Sequence, residues 1–292
     1  MQGRPGIALW QIIVAIVVVV AGLTTVSVFL LVGVLKQNQE MNRTKCMSNL
    51  RSINSAAMLY MSASSRDYPW LRDTMTAWDT TPVGTNRNIN PSGTKDDPNN
   101  PKPRSITALM FMLVRQDQPP GMFRCPSDKH SVVDRNVKAD ANDGDVRKGE
   151  YYLDFSGPEN VSYSWQAPIW KDGRFLQGID GSKTETVVIA DMTPRYEWDE
   201  KWTPIPINEH STQAQIEKQL SSNHKGKQVN ILRVAGNVAV AKRPDVGIDN
   251  DNIFTASGAP YAGSRGATSL DIRKHLSPRD TFLIGPVGRK AE

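Results

Sequence analysis

Residues 7–35 read IALWQIIVAIVVVVAGLTTVSVFLLVGVL and contain no ionisable side chain. As an α-helix this stretch is about 44 Å long, which exceeds the ~30 Å hydrocarbon core of a bilayer. The apolar region of a secretory signal is about half that length and ends at a small-residue cleavage site. The stretch therefore predicts the transmembrane half of a helix that is retained as an anchor, rather than a cleaved signal.

The remaining residues, 36–292, have the composition of a water-exposed body. The chain carries 35 basic and 30 acidic residues, for a net charge of +5 and a pI near 9.1. These charges are interspersed, and no basic stripe alternates with aromatic residues, so the composition argues against nucleic-acid binding. The body is long enough for one large domain or two small ones.

Helical periodicity continues beyond the apolar stretch. Apolar residues recur at positions i, i+4, i+7, i+11 and i+14, namely Cys46, Leu50, Ile53, Ala57 and Tyr60. This spacing is one stripe of an amphipathic helix. We predict a single helix over 7–63 whose second half packs its stripe on a globular core. The alternative is two helices with a hinge at 37–39.

Two features separate this helix from the rest of the body. Residues 79–104 hold five Pro, five Asn and two Gly with almost no apolar residue, which predicts a flexible surface insert. Ser105 then follows as an N-cap for a short helix over 106–115.

The C-terminal half changes to a strand pattern. Short β-branched or aromatic runs bounded by turn residues predict strands at 161–165, 186–190, 229–234 and 238–240. Ala235-Gly236-Asn237 joins the last two as a tight hairpin. The expected fold class is α+β, with a long N-terminal helix packed on an antiparallel sheet that carries long loops.

Residues that carry chemistry are few. Two cysteines and four scattered histidines match no metal-ligand spacing, and no nucleophile or phosphate-loop motif is present. The sequence therefore predicts no enzyme, no catalytic residue and no cofactor. His224 is the most notable histidine, and we expect a loop or capping residue bonded to backbone rather than a catalytic one.

A polar loop offers the one set of hard oxygen ligands, on Asp140, Asn142, Asp143 and Asp145. Gly144 occupies a ligand position, so the spacing departs from the EF-hand pattern. We favour a solvated loop, with calcium binding as the alternative.

A second stretch alternates aromatic and acidic residues, with Tyr196, Trp198 and Trp202 as the aromatic members. Aromatic rings beside carboxylates can stack on sugars, which suggests glycan binding. Packing of the loop onto the body is the favoured interpretation.

Four segments carry a resemblance to a known family. Residues 6–11, Gly-Ile-Ala-Leu-Trp-Gln, are similar to the prepilin processing site Gly-Phe-Thr-Leu-x-Glu. Residues 45–53 (Lys-Cys-Met-Ser-Asn-Leu-Arg-Ser-Ile), 67–69 (Asp-Tyr-Pro) and 123–128 (Phe-Arg-Cys-Pro-Ser-Asp) resemble bacterial prepilin-like proteins. Their order along the chain resembles that of the type IV pilin and pseudopilin family.

A late family motif, His-x9-Asp-Gly, is present in degraded form. His224 and Gly226 stand at its start, and Gly236 stands at its end. The spacing is one residue longer, and Ala235 occupies the place of Asp. The cation or hydrogen-bond role of that Asp is therefore lost.

The resemblance implies processing and topology. A prepilin peptidase would remove the leader-like residues 1–6 by cutting after Gly6, and Ile7 would be methylated. The implied topology places the body in the periplasm or at the cell surface, with a single pass through the bacterial inner membrane. Counting Lys and Arg beside the stretch favours a cytoplasmic body instead. A plain uncleaved anchor is the alternative.

An exported body has a consequence for the cysteines. In an oxidising compartment, two cysteines favour a bridge, so we expect a Cys46–Cys125 disulfide. Two buried, reduced cysteines are the alternative.

Gln11 is the difference from the prepilin processing site that bears most on filament assembly. Pilins carry Glu there, and a charge held in lipid usually signals function. Its role is to attract the N-terminal ammonium of a neighbouring subunit, and Gln carries no charge. The expected function is a structural subunit of a filament or secretion apparatus, of minor or tip type, with other pilin-like subunits as partners. The alternative is a monomeric inner-membrane-anchored protein that binds a glycan or a protein.

Overall fold

The structure is a computed structural model. It describes residues 9–63, 68–69, 83, 105–135, 152–171, 174–177, 179, 183–194, 202–256, 269–275 and 280–286. The chain divides into two compact units, Met1–Thr44 and Lys45–Glu292, and each is described by itself. The predicted insert at 79–104 lies outside the described residues, apart from Val83.

The first element is one long helix, α1 (Leu9–Ala63), of 55 residues. It contains no proline. Its two glycines, Gly22 and Gly33, do not interrupt the helix, and no other described residue packs within 4 Å of their Cβ positions. The helix continues through 37–39, so the two-helix alternative is wrong. The predicted start at Ile7 lies outside the described residues.

The N-terminal part of α1 is long and apolar enough to cross a membrane. Its large apolar side chains are exposed, and Phe29 reaches 75%. A helix that is apolar on every side is stable only in an apolar surrounding. The expected anchor therefore has the required length and composition.

The C-terminal unit holds a five-stranded antiparallel sheet in the order β6-β5-β4-β1-β7. Its strands are β1 (Tyr163–Gln166), β4 (Val187–Asp191), β5 (Val229–Arg233), β6 (Val238–Ala241) and β7 (Leu283–Ile284). The four predicted strands are confirmed within two residues at each end. The two-residue β7 and the separate hairpin of β2 (Ile169–Lys171) and β3 (Arg174–Leu176) were not predicted, because such short strands carry no readable period.

Both faces of the sheet are covered by apolar side chains. The helix-side core contains Tyr163 and Trp165 of β1 together with the stripe of α1, namely Cys46, Leu50, Ile53 and Ala57. The outer core lies on the other face and contains Ala190 of β4 and Val229 and Ile231 of β5. Tyr60, the last residue of the predicted stripe, is only partly buried. The amphipathic period of α1 therefore identified the packing face correctly.

The short helix α2 (Thr107–Val114) also belongs to the helix-side core. It begins one residue later than predicted, and the assignment of Ser105 as its N-cap is wrong, because Ile106 holds that position without a side-chain bond. Ser105 Oγ instead donates to Asp154 Oδ2 at 2.5 Å, and Thr107 Oγ1 donates to Asp154 Oδ1 at 2.7 Å. A long-range carboxylate thus competes successfully with the local cap.

The predicted hairpin turn joins β5 to β6. Gly236 has φ +84°, and its N–H donates to Arg233 O at 2.8 Å. A Cβ added to Gly236 would lie 2.9 Å from Asn54 Nδ2 on α1. The turn therefore needs glycine both for its backbone conformation and for its close approach to the helix.

We expect Gly236→Ala to lower the free energy of unfolding by at least about 1–2 kcal/mol, because a left-handed residue with a Cβ costs that much before any clash. The matched control is Gly121→Ala, since its added Cβ would have no contact closer than 3.9 Å. Denaturant unfolding of the detergent-solubilised chain measures both. Equal stability of the two variants would contradict this account of the turn.

Candidate functional site

The predicted disulfide between Cys46 and Cys125 is present, with a Cα–Cα distance of 5.1 Å. Cys46 comes from the buried stripe of α1. Cys125 begins a turn that Asp128 N closes by donating to Cys125 O at 3.0 Å. Both cysteines are fully buried, and because they are bonded to each other the alternative of two reduced cysteines is wrong for this structure.

Polar side chains line up across three strands on the sheet face beside this disulfide. Tyr163 of β1 is opposite Asp191 of β4. Ala190 pairs with Ile231, so the next positions, Asp191 and Asn230, are also opposite each other. Because side chains alternate along a strand, Tyr163, Asp191 and Asn230 share the face that belongs to the helix-side core. Asn230 N donates to Asp191 Oδ2 at 2.6 Å.

His224 completes this group from a 3₁₀ turn, Ser222–His224. Its Nε2 lies 3.2 Å from Asp191 Oδ2, 2.8 Å from Asn230 Nδ2 and 4.0 Å from Cys125 Sγ. The side chain of His224 is only 6% exposed. Our expectation of a backbone-bonded loop histidine is wrong, because the partners of its Nε2 are side chains. We call Tyr163, Asp191, His224, Asn230 and the disulfide the buried polar cluster.

Gly226 shapes the loop that carries His224. It has φ +67°, and its N–H donates to Ser221 O at 3.0 Å. An added Cβ would lie 2.7 Å from Glu217 O, so the chain can close here only with glycine. Gly226 and Gly236 therefore serve turn geometry, and of the three residues of the late family motif only His224 enters the buried polar cluster.

Further hydrogen bonds tie the buried polar cluster to the Cys-Pro turn. Ser162 Oγ donates to Asp128 Oδ2 at 2.8 Å, and Asn223 Nδ2 donates to Ser162 O at 3.0 Å. Tyr163 OH donates to Cys46 O at 3.4 Å. These hydrogen bonds connect the segments that carry His224, Cys125 and Cys46.

Electrostatics in the buried polar cluster oppose ionisation of the phenol. Burial raises the pKa of Tyr163 well above its usual value of 10.0, and the negative charges of Asp191 and Asp128 raise it further, against a hydrogen bond from Asn49. Asp191 itself is fully buried, and its Oδ1 has no hydrogen-bond partner among the described residues. The buried polar cluster therefore holds one incompletely compensated carboxylate.

The described residues contain one group of side chains that could hold a metal ion, Cys46, Cys125 and His224, whose ligand atoms lie within 4.8 Å of one another. In the disulfide form, the two sulfur atoms are bonded to each other and are not thiolate ligands. The buried polar cluster as it stands is thus a structural connection between α1 and the sheet.

Several predicted site residues lie outside the described residues: Gly6, Ile7, Asp140, Asn142, Asp143, Asp145, Tyr196 and Trp198. Gln11 lies in α1, but its side chain is not described. Trp202 is described, and it packs against the outer core with its indole N–H donating to Lys218 O at 3.0 Å. For this residue, the packing interpretation agrees with the structure.

Sequence reasoning missed Asp191 and Asn230. Each carried a signal, because Asp191 directly follows the apolar run 187–190 and Asn230 interrupts the apolar run 229–232. A polar residue at a core-facing strand position needs a partner. Which partner it finds depends on strand order, which the sequence alone did not reveal.

Comparison with known proteins identifies no family model, curated protein or solved structure that matches this chain.

We predict that alkaline pH destabilises the body through Tyr163. Its folded pKa is raised, so the stabilisation is fully present below the unfolded value of about 10 and is lost as pH rises above it, at up to about 1.4 kcal/mol per pH unit. Denaturant unfolding at a series of pH values should therefore show a shallower decline above pH ~10 for Tyr163→Phe than for the parent chain.

A comparison variant is Tyr68→Phe, because burial also raises the pKa of Tyr68. It should change the pH dependence in the same direction. If the stability of Tyr163→Phe falls above pH ~10 as steeply as that of the parent chain, ionisation of Tyr163 does not cause the alkaline destabilisation.

Proposed function

We propose that this chain is a pilin-like or pseudopilin-like structural subunit, anchored in a bacterial inner membrane by α1 with its body in the periplasm or at the cell surface. In this proposal it occupies a minor or tip position in a filament or secretion apparatus. Its partners are other pilin-like subunits, and a prepilin peptidase processes it.

The observation that carries the proposal is α1. One uninterrupted helix has an apolar first part that is long enough to cross a membrane and a second part whose stripe is buried in the helix-side core. A membrane anchor alone needs no such continuation, because a flexible linker would serve equally well. A helix that continues from an apolar segment into the core of its own body is what a subunit needs if helices are to pack together in a filament.

The disulfide supports an exported body. Disulfides persist in oxidising compartments and are rare in the cytosol. The bridge encloses a span of 79 residues, for which the chain-entropy model allows roughly 4–5 kcal/mol of stabilisation. This bond agrees with the topology that the family resemblance implies, against the charge count beside the membrane stretch.

The role we propose is not enzymatic. His224 and Asp191 form the buried His–carboxylate pair of the described residues, and their side chains are 6% and 0% exposed. A general base must come within hydrogen-bond distance of its substrate, and a pair this deeply buried between α1 and the sheet is reached only if the body opens.

We expect the mature protein to lack residues 1–6, because a prepilin peptidase cuts after the glycine of its recognition segment. Intact-mass measurement of membrane-extracted protein should show this loss, together with the added mass of a methyl group on Ile7. Gly6→Val should retain the leader, since a branched side chain fills the cleavage position. Gly3→Val, in the same segment, is the matched control. If the parent chain keeps its full-length mass, the leader is not removed and the chain is a plain uncleaved anchor.

We also expect the chain to be a minor component of any filament that contains it, because Gln11 lacks the charge that attracts the ammonium group of a neighbouring subunit. Gln11→Glu should raise its share of sheared filament material, measured by quantitative mass spectrometry. Gln37→Glu adds the same charge elsewhere on α1 and should leave that share unchanged. A parent chain that forms the bulk of the filament would disprove the tip role.

A further inference from the structure

The buried polar cluster brings together three atoms of the kinds that metals bind. Cys46 Sγ, Cys125 Sγ and His224 Nε2 lie within 4.8 Å of one another. Thiolate and imidazole ligands suit zinc. We propose that, when the two cysteines are thiols, Cys46, Cys125 and His224 bind one Zn²⁺. The disulfide and the zinc site are then alternative states of the same residues.

The distances suit a tetrahedral ion. Zn–S and Zn–N bonds of about 2.3 and 2.0 Å place ligand atoms about 3.5–3.8 Å apart. Cys125 Sγ and His224 Nε2 are already 4.0 Å apart, and the Cα atoms of the two cysteines are 5.1 Å apart. The two sulfur atoms must separate and come closer to His224 Nε2, and rotation of the Cys46 and Cys125 side chains would allow both changes.

The charge of the site favours a metal in the thiol form. A Zn²⁺ ion with two thiolates is neutral overall, as the disulfide is, so exchanging one for the other adds no charge to the core. Without a metal, the two buried cysteines would stay neutral thiols, because burial disfavours the thiolate. The neutral exchange therefore leaves the packing of α1 on the sheet in place.

Asp191 adds a second, independent reason for a cation here. Its side chain is completely buried, its Oδ2 lies 3.2 Å from His224 Nε2, and its Oδ1 has no hydrogen-bond partner among the described residues. A buried carboxylate raises the affinity of its surroundings for positive charge. Asp191 acts as a positioning residue that favours the ion beside His224.

His224 presents the correct nitrogen to the site. His224 Nε2 lies 2.8 Å from Asn230 Nδ2 and 3.2 Å from Asp191 Oδ2, so this nitrogen faces the site whichever ring nitrogen carries the proton. A neutral imidazole with a free lone pair is the form that binds zinc. Zinc would take the place of the Asn230 amide group as the partner of Nε2.

The exchange between the two states balances as follows. The dithiol chain binds Zn²⁺ and releases two protons. An oxidant of the disulfide class then takes two electrons from the two thiolates and two protons from water. Cys46 and Cys125 form their bond, the zinc ion leaves, and the oxidant becomes a dithiol. The reverse step requires a dithiol or a phosphine as reductant.

The test uses the full chain in detergent, reduced with a water-soluble phosphine, freed of reductant without oxygen, and titrated with Co²⁺. We expect one equivalent of cobalt to give a thiolate-to-metal charge-transfer band with the visible bands of tetrahedral cobalt. Zn²⁺ should displace it. His224→Ala should weaken binding at least about tenfold, because even outer-shell partners of a metal contribute about that much.

The controls separate this site from adventitious binding. His210→Ala removes an imidazole that is 87% exposed and should leave the affinity unchanged. The oxidised chain should give no thiolate band. Resistance to proteolysis reports whether the reduced chain stays folded, or refolds when zinc is added.

Three results would overturn the proposal. The first is a reduced, folded chain that shows no thiolate–cobalt band. The second is equal affinity in His224→Ala and the parent chain, which would mean that the cysteines bind cobalt without the histidine. The third is a reduced chain that unfolds and does not regain protease resistance with zinc.

Discussion

The contact on which the body depends is the packing of the second part of α1 against the sheet face that carries Tyr163 and Asp191. Cys46, Leu50 and Ile53 are buried there. Burying such apolar side chains contributes about 1.5–3 kcal/mol each, before the cost of ordering the chain. Because α1 is one continuous helix, this contact also connects the folded body with an apolar segment that is long enough to cross a membrane. The disulfide makes the connection covalent at Cys46.

The sheet face under the helix is unusual because polar groups share it with the apolar core. Removing a carboxylate such as Asp191 from water costs several kcal/mol unless hydrogen bonds and charges compensate. Asn230 N and His224 Nε2 supply contacts to one carboxylate oxygen, and the other has no partner among the described residues. A chain that served only to pack a helix would be at least as stable with apolar residues here, which is why the buried polar cluster suggests a second chemical state.

Sequence patterns predicted the elements better than their partners. The stripe through Cys46, Leu50, Ile53 and Ala57 identified the buried side of α1, because helical periodicity is a local property. Turn residues located the β5–β6 hairpin for the same reason. The Ser105 cap failed because Asp154, 49 residues away, competes for its hydroxyl. His224 was chosen correctly as the notable histidine, but its partners were not, since Asp191 and Asn230 approach it only through the sheet.

The sequence by itself determined the membrane-length helix, its amphipathic continuation, the α+β class and the pairing of two cysteines, because each follows from composition, from periodicity or from there being two cysteines. Only the tertiary structure decided the strand order β6-β5-β4-β1-β7 and, with it, the meeting of Tyr163, Asp191, Asn230 and His224 beside the disulfide. Strand order arises from competition among long-range pairings whose energies differ little. In a site assembled from several strands and a loop, a local pattern can therefore indicate single residues but not which residues meet.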